Sequence, residues 1–274
     1  MSKTIPVVPP PLISADALAA STSAPLVIDG RPAEQFAAGQ IPGAVHLDLW
    51  GVSLIDTSEA PLAAFMWMIA HLFELRGVTN DRPVVVYESD AGMRAARAFW
   101  FLEYLGHPHV QVLDGGFAAW TRGGHPVSTA PVPPKPSQWA HAVQRATLAT
   151  WRDVLERLGD SHVAIVDTRS REEYRGELVR ARRGGRIPGA VNIEWKDNLT
   201  ADGFFKPAAE LRAMYERAGV TPDREVVTYC QGGYRAAHAY LALRSLGYPR
   251  VRNYTGSWKE WGDREDLPIE NPSD

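Results

Sequence analysis

The sequence predicts an α/β fold of two tandem domains, each a parallel sheet flanked by helices. Three observations support this prediction. The chain has 274 residues, enough for two domains that each bury a core of their own. A set of short motifs occurs twice in the same order, once in each half of the chain. Within each copy, short β-branched runs alternate with helical patterns, which is typical of parallel sheets with crossover helices.

The repeat determines the predicted domain organisation. Five matches in the same order are far beyond chance, and their period is the size of a whole domain, so we predict a duplicated domain. The paired segments are 26–31 with 164–169, 41–45 with 187–191 (IPGAV in both), 77–87 with 219–229, 94–106 with 235–247, and the closing Trp120 with Trp261.

Local patterns predict the elements inside each copy. The β-branched run 226–229 predicts a strand, and the segment 251–254 is predicted as the next one. Gly247 ends the helix between them, and Pro249 keeps that helix from resuming. The helix itself is predicted from apolar residues at helical spacing, namely Ala236, Ala239, Tyr240, Leu243 and Leu246.

A proline-rich segment separates the two copies. Five prolines within residues 125–136 predict an extended, semi-rigid connection. We therefore predict an N-terminal domain over 1–125, a linker over 126–143 and a C-terminal domain over 144–274.

The composition excludes several classes of protein. Hydrophobic residues make up 45% and charged residues 22% of the chain, and no apolar run approaches the roughly 18 residues that span a bilayer. The stretch 1–14 has Lys3 as its only cation and does not resemble a secretory signal, so we expect a cytoplasmic protein with no membrane partner. The net charge of −3 and the lack of a basic helix argue against a nucleic-acid partner.

The two copies differ in chemistry at the turn after the strand 226–229. The second copy continues Cys230-Gln231-Gly232-Gly233-Tyr234-Arg235 and enters a helix at once. The thiol therefore lies at the carboxyl end of a parallel strand, facing the unpaired N–H groups of a helix N-terminus that favour an anion. A lone cysteine is most often a small buried hydrophobe, but two glycines and an arginine in this setting indicate a reactive thiolate. As the single cysteine, Cys230 excludes internal disulfides and zinc sites built mainly from thiolates.

With these residues the sequence resembles the tandem-domain rhodaneses, the thiosulfate and 3-mercaptopyruvate sulfurtransferases, from about residue 12 to 268. The resemblance lies in the Asp-x-Arg after a strand, the Ile-Pro-Gly-Ala segment, the cysteine loop and the Gly-x-x-x-Trp that closes each copy. It implies a catalytic C-terminal domain with Cys230 as the sulfur carrier and a non-catalytic N-terminal domain. The sequence agrees, because Glu88 stands in the first copy where Cys230 stands in the second.

The resemblance also implies a mechanism. A small anionic donor gives its outer sulfur to the Cys230 thiolate, and the persulfide is held by the N–H groups of residues 231 to 235. Cyanide, a small thiol or a protein thiol then removes that sulfur in a ping-pong cycle. No metal or organic cofactor is expected.

The loop departs from the family where the donor is recognised. Thiosulfate enzymes tend to carry Arg-Lys-Gly after the nucleophile and mercaptopyruvate enzymes Gly-Ser/Thr-Gly, and Gln231-Gly232-Gly233 matches neither. A second family cation is replaced by Glu173, before Tyr174. The donor therefore stays open between thiosulfate, which we favour weakly, and 3-mercaptopyruvate.

An insertion in the second copy supplies other candidates for the pocket. It carries four arginines over 180–186, which either concentrate a small dianion or form a solvated charged loop. Arg186 and Trp195 are candidate pocket residues, with a core position as the alternative for the tryptophan. Asp167 and Arg169 are expected to form a structural pair, and His238 is a poor candidate for a base.

Two other functions stay open at this point. Dual-specificity phosphatases of the same fold hold five residues between Cys and Arg, whereas four separate Cys230 from Arg235 here. The other alternative is a non-catalytic rhodanese-like module that only binds partners, against which the intact cysteine loop argues.

Overall fold

The computed structural model describes residues 10–271 of the chain. Most of the stretch considered above as a leader, residues 1–9, lies outside the described residues, as do residues 272–274 at the end of the predicted second domain. No helix of the described part is long and apolar enough to cross a membrane, and the cytoplasmic location stays a prediction.

The first half of the described chain alternates strands with helices. In chain order its elements are β1 (Leu12–Ile13), α1 (Ala15–Ala19), β2 (Leu26–Asp29), α2 (Ala33–Ala38), β3 (Val45–His46), α3 (Glu59–Glu74), β4 (Val84–Tyr87), α4 (Met93–Tyr104), β5 (Val110–Leu113) and α5 (Gly116–Arg122).

The second half repeats this order, with short 3-10 helices at Arg145–Thr147 and Trp195–Asn198. Its elements are β6 (Leu148–Ala149), α6 (Trp151–Glu156), β7 (Val163–Asp167), α7 (Arg171–Tyr174), β8 (Val191–Asn192), α8 (Ala208–Arg217), β9 (Glu225–Tyr229), α9 (Tyr234–Ser245), β10 (Val251–Tyr254) and α10 (Ser257–Asp263).

Each half of the described chain forms its own five-stranded parallel sheet. The strand orders are β1-β5-β4-β2-β3 and β6-β10-β9-β7-β8, the same order counted from the start of each half. The central strands read as continuous apolar runs because helices cover both faces, and β2 and β4 are buried along their whole length. The predicted α/β fold of two parallel-sheet domains is confirmed.

The two halves pack against each other along α4 and α9. One hydrophobic cluster runs through both halves and includes Trp100 and Phe101 of α4 with Tyr240 and Leu241 of α9, all fully buried. At one end of this contact Arg244 of α9 forms an ion pair with Glu103 of α4, at 2.8 Å. The sheets thus share part of their core.

The connection between the halves runs along the first domain. Ser128 exchanges backbone hydrogen bonds with Gln40, and Trp139 is buried with its indole N–H donating to Asn80 at 2.6 Å. The segment is extended as expected, but its contacts attach it to the first domain, so it does not form a free connection between the two domains. The boundaries at 126 and 143 stay a prediction.

Candidate active site

Cys230 follows β9 directly and lies at the carboxyl edge of the second sheet. Its Sγ accepts a hydrogen bond from the backbone N–H of Gly233 at 3.1 Å, and the Ser257 hydroxyl lies 3.9 Å away. The Ser257 hydroxyl also accepts the Cys230 backbone N–H at 3.1 Å. The Gly233 N–H is therefore the donor that reaches the sulfur, because the Ser257 hydroxyl donates its proton to the carbonyl of Tyr254 at 2.7 Å.

The loop has this shape because of Gly233 and α10. Gly233 has a φ of +84°, and a Cβ there would lie 2.8 Å from the carbonyl oxygen of Thr255, so a side chain is excluded both by conformation and by space. The carbonyl of Cys230 accepts the N–H of Trp258 at 2.9 Å, and the carbonyl of Gln231 accepts that of Lys259 at 3.0 Å. The first turn of α10 thus clamps the start of the loop.

Arg235 is held by a carboxylate from another element. Its guanidinium donates two hydrogen bonds to Glu173, at 2.5 and 3.0 Å, and Glu173 is buried at the start of α7. Burial works against the charge of the carboxylate, but the hydrogen bond and the charge of Arg235 keep the pKa of Glu173 below its ordinary value. This partner explains how a cation is kept at the N-terminus of α9, where the helix dipole disfavours it.

A cavity of about 430 Å³ opens above Cys230 between the two domains. From the second domain it is lined by Cys230 and by most of the loop residues predicted from the sequence: Gln231, Gly232, Tyr234 and Arg235. Trp195 lines it as well, together with Arg180 from the predicted arginine cluster and with Lys196, which the sequence analysis did not single out.

The first domain contributes the other wall of this cavity, through Trp50, Ser53 and Met93. These residues carry no catalytic motif, and only the packing of the domains brings them to Cys230. Ser257 was missed as well, although it follows the strand β10 next to β9, where a polar side chain at the strand end is a usable signal.

The structure corrects the prediction that Arg186 lines the pocket. Its guanidinium binds the carboxylate of Glu270 and lies over the ring of Tyr174 at 4.5 Å, and it is not among the cavity's lining residues. Arg183 of the same insertion donates to the carbonyls of Trp261 and Leu267. The insertion is therefore mainly attached to the C-terminal segment, because these main-chain carbonyls and Glu270 offer it partners.

Tyr234 connects the loop to the first domain. Its hydroxyl donates to the carbonyl of Leu49 at 2.9 Å, and its ring lies 4.8 Å from that of Trp50. The guanidinium carbon of Arg97 lies 3.8 Å from the centre of the same ring. The side chain of Tyr234 therefore anchors the loop between the domains, in addition to any role of its backbone.

Glu88 occupies the corresponding loop of the first domain, directly after β4. Its Oε1 accepts the N–H groups of Arg94 and Ala95, at 2.5 and 3.1 Å. Burial raises the pKa of Glu88 to about 7, although these two hydrogen bonds act in the opposite direction. In the first domain, the carboxyl group of Glu88 thus accepts the N–H groups of its own loop.

Two other sequence expectations concern residues near the loop. Arg169 binds Asp167 in a buried pair at 2.6 Å, a structural arrangement at the end of β7. His238 is fully buried, its Nε2 donates to the carbonyl of Ala91 at 2.8 Å, and burial lowers its pKa to about 4. Among residues 10–271, His, Cys, Asp and Glu side chains form no group of three or more that could hold a metal ion.

The rhodanese-like domain model matches the chain twice, over residues 14–122 and 150–264. The chain belongs to this family. Its relatives include the sulfur carrier protein TtuD of Thermus thermophilus, 39% identical over 84% of this chain and 85% of that protein. They also include the thiosulfate sulfurtransferase of Azotobacter vinelandii, 36% identical over 92% of this chain and 94% of that one. This similarity places the chain among the sulfurtransferases and confirms the resemblance seen in the sequence.

A solved structure shares the two-domain rhodanese-like fold. The anaerobic ergothioneine biosynthesis enzyme from Chlorobium limicola superposes with a TM-score of 0.83 at 23% identity, covering 95% of this chain and 70% of that one. At this identity the likeness concerns the fold alone.

Proposed function

We propose that this chain transfers sulfane sulfur from thiosulfate to cyanide or to a thiol, including a protein thiol, through a persulfide on Cys230. The observation that carries the proposal is the position of Sγ, 3.1 Å from the Gly233 N–H at the base of a cavity of about 430 Å³. An anion on this sulfur is stabilised by the Gly233 N–H and by its position at the N-terminus of α9, so no separate general base is needed.

The cycle has two steps. The Cys230 thiolate attacks the outer sulfur of thiosulfate, a Cys230 S–S bond forms, and the S–S bond of the donor breaks with sulfite leaving with the electron pair. Cyanide or a thiolate then attacks the outer sulfur of the persulfide, so that thiocyanate or a new persulfide leaves and the Cys230 thiolate is restored. This is covalent catalysis with ping-pong kinetics.

The charges at the cavity favour thiosulfate over 3-mercaptopyruvate as the donor. Arg235 is already paired with Glu173, and the solvent-exposed cations at the cavity are Lys196 and Arg180, whose Nε lies 3.8 Å from the same Glu173 carboxylate. Two separate cations suit a dianion better than a single carboxylate. The names of the relatives from Azotobacter vinelandii and Pseudomonas aeruginosa, both thiosulfate sulfurtransferases, support the same choice.

We further propose that the first domain, over 1–125, is non-catalytic and that the catalytic domain spans 144–274. A carboxylate such as Glu88 cannot carry sulfane sulfur, and Cys230 is the only thiol of the chain. The first domain supports catalysis by supplying one wall of the cavity.

The proposal is tested with the wild-type protein and Cys230→Ser. Wild type incubated with thiosulfate should gain the mass of one sulfur atom, lose it on addition of cyanide, and turn over thiosulfate faster than 3-mercaptopyruvate. Cys230→Ser should lose turnover with an unchanged circular dichroism spectrum. Full activity of Cys230→Ser would falsify the assignment of the nucleophile.

The same assays separate the two alternative functions. Hydrolysis of an aryl phosphate without formation of thiocyanate would replace the proposal with phosphatase chemistry. If the wild-type protein gained no sulfur from either donor, a partner-binding module would be the remaining function. We expect neither outcome, because the loop has one residue fewer than a phosphate-binding loop needs.

A further inference from the structure

Arg97 of α4 is a buried cation that the sulfur-transfer cycle described above does not use. It is 1% exposed and lies where α4 packs against the second domain. Its Nε and Nη2 have no hydrogen-bond partner among residues 10–271, and its Nη1 makes only a long contact of 3.4 Å to the carbonyl of Leu49. Burying a charge without a carboxylate is costly, so other groups must compensate for it.

The compensation comes from the catalytic loop of the other domain. The guanidinium carbon of Arg97 lies 3.8 Å from the centre of the Tyr234 ring and 4.9 Å from that of Phe101. Burial lowers the pKa of Arg97 to about 10, while the charges of Tyr234 and Cys230 in their anionic forms act in the opposite direction. An electrostatic interaction is mutual, so a charge that is favoured by the Cys230 anion also favours that anion.

The loop's own cation, Arg235, also interacts with the charge of Cys230, but it is shared with a carboxylate. Arg235 makes two hydrogen bonds to Glu173, which balance part of its charge. Among residues 10–271, Arg97 has no such acid partner, and it is almost completely buried, where charges interact more strongly.

We propose that Arg97 is a positioning residue of the active site, a cation from the first domain that stabilises the anionic thiolate and persulfide of Cys230 across the domain interface. The inference rests on the proposed role of Cys230 as the sulfur carrier. It gives the first domain an electrostatic function that its own loop, blocked by Glu88, does not provide.

Most other charged groups near the loop are paired, neutral or at the solvent, while Glu260 is buried and its carboxyl group accepts hydrogen bonds from Thr57. Asp48 is paired with Arg94 at 2.6 Å, Lys259 with Asp263, and Arg235 with Glu173, while His238 is neutral because its pKa is about 4. The titratable and charged groups around Cys230 come from both domains. In the second domain they are Tyr234, Arg235 and His238 on α9, Glu173 on α7, Lys259 and Glu260 on α10, and Arg180 and Lys196 at the cavity. In the first domain they are Asp48, Arg94 and Arg97.

The test measures the rate of alkylation of Cys230 by iodoacetamide against pH, read by mass spectrometry. Because the chain has one thiol, every alkylation event reports on Cys230. We expect Arg97→Gln to raise the pH of half-maximal rate by about 0.5–1 pH unit, as the loss of a nearby opposite charge does. Arg97→Lys, which keeps the charge, should restore at least half of that shift.

Arg244→Met is the matched control, because it removes an ion pair from the same α4–α9 contact at a distance from the loop. It should leave the pH of half-maximal alkylation unchanged, even if it lowers the melting temperature. Should Arg97→Gln not fold, Arg97→Met and Arg97→Lys provide the same comparison of a neutral with a charged side chain.

Three results overturn the inference: no shift in a folded neutral variant, an equal shift in Arg244→Met, or a shift in Arg97→Lys as large as in Arg97→Gln. The proposed function fails in a different way. If wild type is alkylated with the expected pH dependence and the Arg97 variants shift it, but no sulfur is transferred, the electrostatic role stands and the sulfur chemistry does not.

Discussion

At the scale of single residues, the pair of Arg235 and Glu173 determines how the loop is charged. The arginine looks like a donor-binding residue in the sequence, and the glutamate like the loss of a family cation. In the structure the two side chains bind each other, at 2.5 and 3.0 Å. The replacement of the family cation by Glu173 is therefore coupled to the position of Arg235, because the Glu173 carboxylate holds the Arg235 guanidinium.

We expect Arg235→Ala to destabilise the protein by about 3 kcal/mol, because it leaves the buried Glu173 with only the exposed Arg180, at 3.8 Å, as a counter-charge. The double variant Arg235→Ala with Glu173→Ala should lose less free energy of unfolding than the two single variants lose in sum. Urea unfolding of the three variants measures both quantities in a double-mutant cycle. Additive losses would mean that the pair makes no interaction of its own.

Glu88 is a second residue whose charge depends on its surroundings. Its carboxyl group is buried and its pKa is about 7, above the ordinary 4.5, because burial disfavours the charged form. The folded state therefore binds a proton that the unfolded state has already lost between pH 4.5 and 7. Stability falls as the pH rises through this window and is constant above it.

Glu88→Gln should remove this loss, because the amide oxygen can accept the same two N–H groups without becoming charged. We expect stabilisation of about 1–3 kcal/mol at pH 8 and little change at pH 4.5, from the linkage between pKa and stability. Thermal unfolding at both pH values gives the comparison. Equal effects at pH 4.5 and pH 8 would rule out titration of Glu88 as the cause.

At the scale of elements, the turn from β9 into α9 depends on the conformation of Gly233. Its positive φ and the nearby Thr255 carbonyl leave no room for a side chain. The N–H of this residue is the one that reaches the sulfur, at 3.1 Å. The shape of the turn and the stabilisation of the anion are therefore set by the same residue.

Gly233→Ala should lower the free energy of unfolding by about 1–2 kcal/mol because of the positive φ alone, and the contact with Thr255 should lower it further. Sulfur transfer should fall at least tenfold, because the loop must shift. Gly247→Ala is the matched control: it has a φ of +78° with open space around it, so it should cost a similar backbone term and keep its activity. The two variants are compared by turnover and by urea unfolding; equal activity would contradict the role given to Gly233.

At the scale of the whole molecule, the two domains share a hydrophobic cluster through α4 and α9. Separating them would expose Trp100 and Tyr240, both fully buried. The cavity and the position of Tyr234 also depend on this contact. The interface is therefore part of both the core and the site.

We expect the chain to unfold in one cooperative transition rather than domain by domain, because the largest hydrophobic cluster is shared by both domains and would be opened if they separated. Differential scanning calorimetry should give a ratio of calorimetric to van't Hoff enthalpy of about one. The control is independence from scan rate, which shows that the transition is at equilibrium. Two resolved transitions would show that the domains are independent.

The sequence alone determined the duplicated fold and led to the prediction of Cys230 as the nucleophile, because both depend on local signals. Strand runs such as β10 (Val251–Tyr254) and the helix stop at Gly247 are encoded within a few residues, and the repeat doubles their weight. The position of Cys230 between a strand and a helix follows from the same short-range pattern.

Tertiary structure alone decided which charges reach Cys230. Arg186 and Arg180 are six residues apart, yet one binds Glu270 and the other lines the cavity. Arg97 lies 133 positions before Cys230 in the chain and comes to its loop only because α4 packs on α9. Charge acts through space and periodicity describes only one element at a time, so the electrostatics of this site required the packed domains.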